Sequence, residues 1–466
     1  MKTTTKFFSA LLIAVIVAFT AEAQQSSIQN FRPYDKNGLN IFELPKNDTL
    51  LFTGLKVRVG VSSAFQFQNL KHENVINTDT LNGGYTLIDV SGLAAKPDGI
   101  DDRTLIKLTN GFDLAMANLN LDAQLYDGIH MNLVLYLSSR HHQESWVKGG
   151  FIQFDKLTFL HSASIDNIMK YVTLRFGDYE VNYGDQHYRR SDGGNTMYNP
   201  FIENLIMDEF TTEIGGEIQV KVNGLIAVAE ITGGEIKGDV SQQTAIDSVT
   251  GEINKRSPSI IAKLGYDKQV NSDLRLRLTG SVYTKKSSAS NTIFGGDRTG
   301  SRYFSIMENY YSTLTGNPFS GRLNPGFSDQ VTTFMVNPFI KFHGLELFGT
   351  LEFADGRRVT ETAVNRKATQ YAVDVIYRFT KKENFYIAGR YNTVSADMFF
   401  TAPGSFVPVI QNVSVNRVAV SAGWYVISNV LAKVEYVSQQ YKNFPTYDLR
   451  NGGKFSGLMI EAAVGF

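Results

Sequence analysis

The 466-residue chain contains no cysteine, which excludes disulfide staples, thiolate metal centres, a cysteine nucleophile and a lipid anchor on cysteine. Proline is scarce at 11 residues, so this is not a proline-rich or disordered chain. Neither sign of charge is in excess, with 45 Lys+Arg against 45 Asp+Glu. That balance lacks the basic surplus of a nucleic-acid binder, and no nucleic acid is expected as a partner. Charged residues make up 19% of the chain, below the roughly 25% of soluble domains. Beyond the first twenty residues no window of ~18 apolar residues occurs, so no bilayer-spanning helix is expected. A mean hydropathy of −0.15 still permits membrane strands, which need only one apolar face.

What the chain does have begins at its N-terminus. Lys2 and Lys6 precede an apolar run, FFSALLIAVIVAFT over 7–20, and Ala21-Glu22-Ala23 supplies a small-residue cleavage site. Residues 1–23 are therefore expected to be an export signal, leaving a mature net charge of −1 (43 basic against 44 acidic once Lys2, Lys6 and Glu22 are removed). Residues 24–50 are polar and irregular and read as an N-terminal periplasmic extension, and 51–466 as the main domain.

From Leu51 onward a period of two runs through the chain. Leu55, Val57, Val59, Val61, Phe65 and Phe67 share one parity, and Lys56, Arg58, Gly60, Ser62, Gln66 and Gln68 the other. Leu274, Leu276 and Leu278 likewise alternate with Arg275, Arg277 and Thr279. Leu458, Ile460, Ala462, Val464 and Phe466 close the chain against Met459, Glu461, Ala463 and Gly465. About sixteen such segments, of about 10–14 residues each, recur between 51 and 466, and none of ten or more residues shows a helical period.

Their connections alternate in length. Asp127-Gly128, Asn271-Ser272, His343-Gly344 and Ser428-Asn429 are tight, whereas 69–104, 178–210, 233–256, 286–330 and 396–412 are long and polar. Long two-faced strands with this asymmetry predict a transmembrane antiparallel β-barrel of 14–18 strands, with short periplasmic turns and long extracellular loops. A soluble sandwich would use strands nearer 5–6 residues. Register is strongly specified: slipping strand 272–283 by one residue would turn Arg275 and Arg277 to lipid, at roughly 2–4 kcal/mol each. Tyr136, Phe154, Tyr283, Phe353 and Tyr391 at strand ends are expected in interfacial girdles. Barrels of this size leave an aqueous channel, so function is expected in the lumen.

The densest polar stretch is Phe176–Asp192, with Asp178, Glu180, Asp185, His187, Arg189, Arg190 and Asp192. Folded inward, it would make a constriction whose opposed charges filter solutes. Inward-parity Lys56, Arg58, Arg275, Arg277, Arg378, Arg390 and Lys433 would favour anions, but Asp122, Glu346, Glu352, Asp374, Glu435 and Glu461 share that parity. No metal, cofactor or catalytic site is expected. Adjacent His141 and His142 would point to opposite faces of a strand, and no nucleophile frame surrounds Ser138 and Ser139. Asn-Pro-Phe occurs at 199–201, 317–319 and 337–339 and reads as loop-to-strand junctions.

The terminal strand LMIEAAVGF, with its C-terminal Phe466, resembles the signal read by the barrel-assembly machinery of Gram-negative outer membranes. VRVGVSSAFQFQ (57–68) and VTLRFGDYEVNYG (172–184) are similar to strands of the phosphate-selective porin O/P family, in its Bacteroidetes form. The resemblance implies an outer-membrane porin that passes ions and small solutes, with constriction-loop basic residues, here matched by Arg189 and Arg190, and a homotrimeric assembly in lipid. Asp178, Asp185 and Asp192 depart from a purely basic filter. The expectation is thus a non-enzymatic diffusion channel for small hydrophilic solutes, with anion preference as the finer reading. The alternative is a non-conducting barrel subunit of a larger outer-membrane complex, and a weaker one is a barrel hydrolase using His141 or His142.

Overall fold

A computed structural model describes residues 27–46, 48–76, 101–141, 144–192, 194–234, 245–288, 290–361 and 365–466. The expected export signal, His142 and most of the first long loop lie outside these residues.

Alternation of apolar and polar side chains is realised as sixteen strands: β1 (Lys56–Glu73), β2 (Gly111–Tyr126), β3 (Ile129–Leu137), β4 (Trp146–Phe154), β5 (Val172–Glu180), β6 (Thr212–Val222), β7 (Leu225–Thr232), β8 (Ser259–Gln269), β9 (Leu274–Lys285), β10 (Gln330–Phe342), β11 (Leu345–Arg357), β12 (Arg366–Phe379), β13 (Phe385–Phe400), β14 (Val409–Ile427), β15 (Val430–Lys442) and β16 (Lys454–Gly465). Each pairs antiparallel with its sequence neighbours, and β16 pairs back onto β1 to close the barrel. At the seam Val61 and Phe466 exchange two backbone hydrogen bonds of 3.1 Å. Closure leaves no edge strand with unpaired amides. Strands run from 8 residues in β7 to 19 in β14, a wider spread than the expected 10–14.

The four tight turns foreseen all join hairpins at one end of the barrel. A longer connection at that end, 155–171, carries the short helix α1 (Ala163–Met169). The long loops lie at the other end. The exterior is studded with exposed leucine, valine, isoleucine and aromatic side chains on nearly every strand, Leu264, Leu278, Val373 and Ile387 among them. An exposed apolar belt of this extent is what hydrocarbon, not water, covers. Leu458, Ile460 and Phe466 belong to it.

Two parts of the expected pattern are corrected. Tyr136 and Tyr283 are not girdle residues but face inward and are buried, whereas Phe353 and Tyr391 are exposed outside. Tyr283 shares the parity of Thr279 and Ser281, and its hydroxyl donates to Glu213 at 2.6 Å. The alternation also inverts near the long-loop ends of β13–β15. There Val394, Val413, Val415 and Val437 are buried inside, while Thr393 and Ser395 pair outside with Asn416 and Asn412. The polar outer pairs mark where these strands rise above the apolar belt.

Nor are the Asn-Pro-Phe triplets loop-to-strand junctions. Asn199–Phe201 and Asn317–Phe319 lie inside loops, and Asn337–Phe339 lies inside β10. Pro338 has no N–H for the β11 ladder. Asn337 compensates, its Nδ2 donating to the Gly349 carbonyl at 3.0 Å and to Thr350 Oγ1 at 3.1 Å. Gly349 is needed opposite, because a Cβ there would sit 2.8 Å from Pro338 Cγ.

The belt gives a direct test. Val373 is 47% exposed on the outer face of β12. Val373→Arg is expected to cost about 2–4 kcal/mol of folding free energy in vesicles, read from urea-dependent folding.

Candidate functional site in a partly filled lumen

Sixteen strands enclose more space than their own side chains can fill. Three chain segments take up much of it. Residues 181–211, between β5 and β6, are buried almost throughout. Residues 286–329, between β9 and β10, supply Ile293, Phe294, Tyr303, Ile306, Leu323 and Phe327 to an apolar core near the long-loop end. Residues 27–46, expected as a periplasmic extension, lie across the short-turn mouth. Gln29 bonds at Asp127 and Gly128, the Lys36 amide at Ser428, Arg275 at the Asn40 carbonyl, Lys221 at Glu43 and Leu44, and Lys46 at Asp155. These partners sit on hairpins all round the barrel, so the segment forms a strap over the opening. Tyr34 of the strap is seated where β1 and β16 carry Gly60 and Gly465. A Cβ on Gly60 would come within 2.3 Å of the Tyr34 ring, and one on Gly465 within 2.2 Å of the Tyr34 carbonyl.

A buried charge requires a partner, and the strap and loop supply counter-ions for the wall. Asp185 of the inserted loop accepts from Arg277 at 2.7 and 2.8 Å and from Thr279 at 2.7 Å, with Lys263 at 3.2 Å. Burial would raise the Asp185 carboxyl, but Arg277 and Lys263 outweigh it and hold the group well below the usual carboxylate range. The other side of the Arg277 guanidinium grips Glu43 of the strap at 2.6 and 2.9 Å. Glu346 receives Asn40 of the strap at 2.8 Å, Arg189 of the loop at 2.8 Å and Arg378 of the wall at 2.9 Å. Arg190 bonds Asp192 at 2.7 Å and Asp208 at 2.8–2.9 Å, while Arg322 of the second loop reaches Glu203 at 2.7 Å and also Asp208.

The wall pairs internally as well. Arg390 bonds Asp374, its register partner, at 2.6 and 2.8 Å. Lys433 lies 2.6 Å from its register partner Glu461, and Arg275 forks onto Asp267 at 2.7 and 2.9 Å. Lys56 donates to the Ser27 carbonyl at 3.1 Å, and Arg58, across the ladder from Asp122, stacks 4.8 Å from Phe31.

The remaining space lies to one side, against β2–β6. A central chamber of about 240 Å³ is bounded by the strap (Phe31, Arg32, Tyr34), the inserted loop (Asn195, Tyr198, Phe210) and the wall (Asn120, Asp122, Lys148, Phe151, Arg175, Asp178, Tyr179, Glu180). Towards the long loops Phe210 separates it from a second cavity of about 290 Å³, which reaches Arg140, Arg298 and Phe319. Towards the short turns Asn30 borders a third of about 330 Å³, with Lys46, Asp48, Asp127, Asp155 and Asp166. Of the residues singled out in the sequence, Asp122, Asp178 and Glu180 line the central chamber. Arg189, Arg190, Asp192, Arg277, Arg378 and Arg390 are bound in the ion pairs above. Arg32, Tyr34, Asn40 and Glu43 were missed by sequence reading. Three aromatics in the strap, Phe31, Tyr34 and Phe42, were the available signal, being too many for a solvated extension.

No known protein-family model matches the chain, and no curated protein matches it. Solved structures are similar in architecture. The chain is 11% identical to the outer-membrane channel DcaP of Acinetobacter baumannii, with a TM-score of 0.47 over 89% of this chain and 99% of that one. It is 10% identical to the anion-selective porin from Comamonas acidovorans, with a TM-score of 0.46 over 89% and 99%. OprB of Pseudomonas putida, at high pH, gives 10% identity and a TM-score of 0.48 over 89% and 94%.

The carboxyl of Glu209, in the inserted loop, faces that of Glu352 and accepts from Gln370 at 2.6 Å. Burial first, and then the Glu352 charge, pushes Glu209 well above the usual carboxylate range. A group raised on folding stabilises fully below its unfolded pKa, and the contribution fades as pH climbs through the folded one. Loss of folded barrel is therefore expected to steepen with rising pH from about pH 4 upward. Glu209→Gln should flatten that slope, as read from the temperature of mobility shift in gels at a series of pH values.

Proposed function

We propose that the protein is an outer-membrane channel for passive diffusion of small hydrophilic solutes, entered through the long-loop end and left through the short-turn end. The observation that carries the reading is the series of three cavities against β2–β6, each with charged residues in its lining and with Phe210 and Asn30 as shared borders. The apolar exterior supports a lipid setting, reached by export on residues 1–23 and by assembly through the terminal strand Leu458–Phe466. The short turns then face the periplasm. Trimeric assembly and kinship with phosphate-selective porins rest on the sequence resemblance. Phosphate selectivity through Arg189 and Arg190 is disfavoured, since both are committed to carboxylates.

The charged lining of the central chamber is mixed, with Arg32, Lys148 and Arg175 against Asp122, Asp178 and Glu180. Opposed charges at close range leave a weak net field, so selectivity between ions is expected to be modest. The filled lumen favours one second reading, a barrel subunit of a larger envelope complex that carries no current.

Planar-bilayer recording on the purified mature protein separates the two. Small, steady conductance steps are expected. Deleting residues 27–46, or seating Leu at Gly60 to evict Tyr34, should raise the step by about twofold or more. Silence of both the wild type and the strap deletion, with partner proteins co-purifying, would establish the subunit reading instead.

A further inference from the structure

Three cations line the central chamber, and two of them have a carboxylate of their own. Lys148 pairs with Asp297, and Arg175 lies 3.5 Å from Glu217. Arg32 differs. Its Nε donates to the Gly38 carbonyl at 3.1 Å, Nη2 to the Tyr188 carbonyl at 3.0 Å and Nη1 to Asn195 Oδ1 at 3.5 Å. Its guanidinium stacks 4.1 Å from the Tyr198 ring. All of these partners are neutral, and among the described residues no carboxylate pairs with it. A guanidinium has five N–H donors and three are used, so two remain. Two carboxylates of the same chamber have neighbours within the protein. Asp122 accepts from Tyr34 at 2.9 Å and from Asn132 at 2.7 Å and faces Arg58 across the ladder, and Glu180 lies 3.7 Å from Arg190.

We propose that Arg32, carried on the N-terminal strap, is the specificity-determining residue of the passage. It docks the anionic head of a solute, a carboxylate or a phosphate group, as that solute crosses the central chamber. The planar fork and the spare N–H groups suit either anion. Backbone carbonyls and a tyrosine face hold the guanidinium in place without cancelling its charge. The inserted loop, by contrast, keeps its arginines in ion pairs and positions the chamber wall. The inference rests on the channel reading and names the group that sets its selectivity.

The test is the reversal potential of the mature protein in a potassium chloride gradient. Arg32→Gln should lower the chloride-to-potassium permeability ratio by at least about twofold and Arg32→Glu further, while Arg32→Lys stays near wild type. Arg357→Gln, which removes a cation paired with Asp247 outside the chamber, serves as the control. Acetate and phosphate, added separately, should each reduce the wild-type current, and the more effective one identifies the preferred head group. An Arg32→Gln ratio equal to wild type, or shifted no more than that of Arg357→Gln, overturns the assignment. Should the wild type carry no current, the channel reading falls. The docking site is then read by calorimetric titration of the folded barrel with acetate and with phosphate. Binding weakened about tenfold or more in Arg32→Gln upholds it, and equal binding or none in the wild type overturns it.

Discussion

A backbone amide facing acyl chains has no water to turn to, so a strand there is tolerable only with a partner on each side. That requirement forces β16 onto β1 and makes the sheet a closed surface with an inside and an outside. Charge can then go only inward. The wall accordingly turns Arg277, Arg378, Arg390 and Lys433, together with Glu346, Asp374, Glu435 and Glu461, into one crowded space where all are buried. Taking such charges from water costs several kcal/mol each unless partners meet them. The strap and the two inserted loops are, in energetic terms, those partners. Glu346 shows the principle in one residue, gathering a donor from the strap, one from the inserted loop and one from the wall.

The same pairing decides what the charged loop can do. An arginine that filters solutes has to present uncompensated charge to the passage. Arg189 and Arg190 spend theirs on Glu346 and on Asp192 with Asp208, and removing one partner would strand a buried ion, typically a loss of about 3–5 kcal/mol. They act as fasteners between loop and wall. The dense cluster of charge in 176–192 is therefore chiefly a fastening device, and open space has moved to the β2–β6 side, where Phe151, Tyr179 and Phe210 form part of the boundary.

Period two was legible wherever a strand crosses the apolar belt, because lipid on one side and buried charge on the other leave no ambiguity, as in Leu274–Thr279. Legibility stopped where the surroundings change along a single strand. Val394 and Val413 point inward because the second loop brings an apolar core to meet them, and no local pattern announces that loop's position. Asn337–Phe339 read as a loop-to-strand junction because the Asn337 side chain repairs the ladder beside Pro338 only in three dimensions. The strap was least legible of all. Glu43 and its partner Arg277 are 234 positions apart, so neither residue signals the other in a single chain.

The strap has a consequence for how the molecule is made. Its docking points are scattered from the β2–β3 hairpin to Ser428, near the end of the chain, and Tyr34 rests on glycines at the very seam where first and last strands meet. No partial cylinder offers all of them. The strap can thus settle only after the wall has closed, and its docking certifies that the wall is whole. A barrel missing a hairpin or paired out of step would lack one or more of these docking points and could not hold the strap along its whole length.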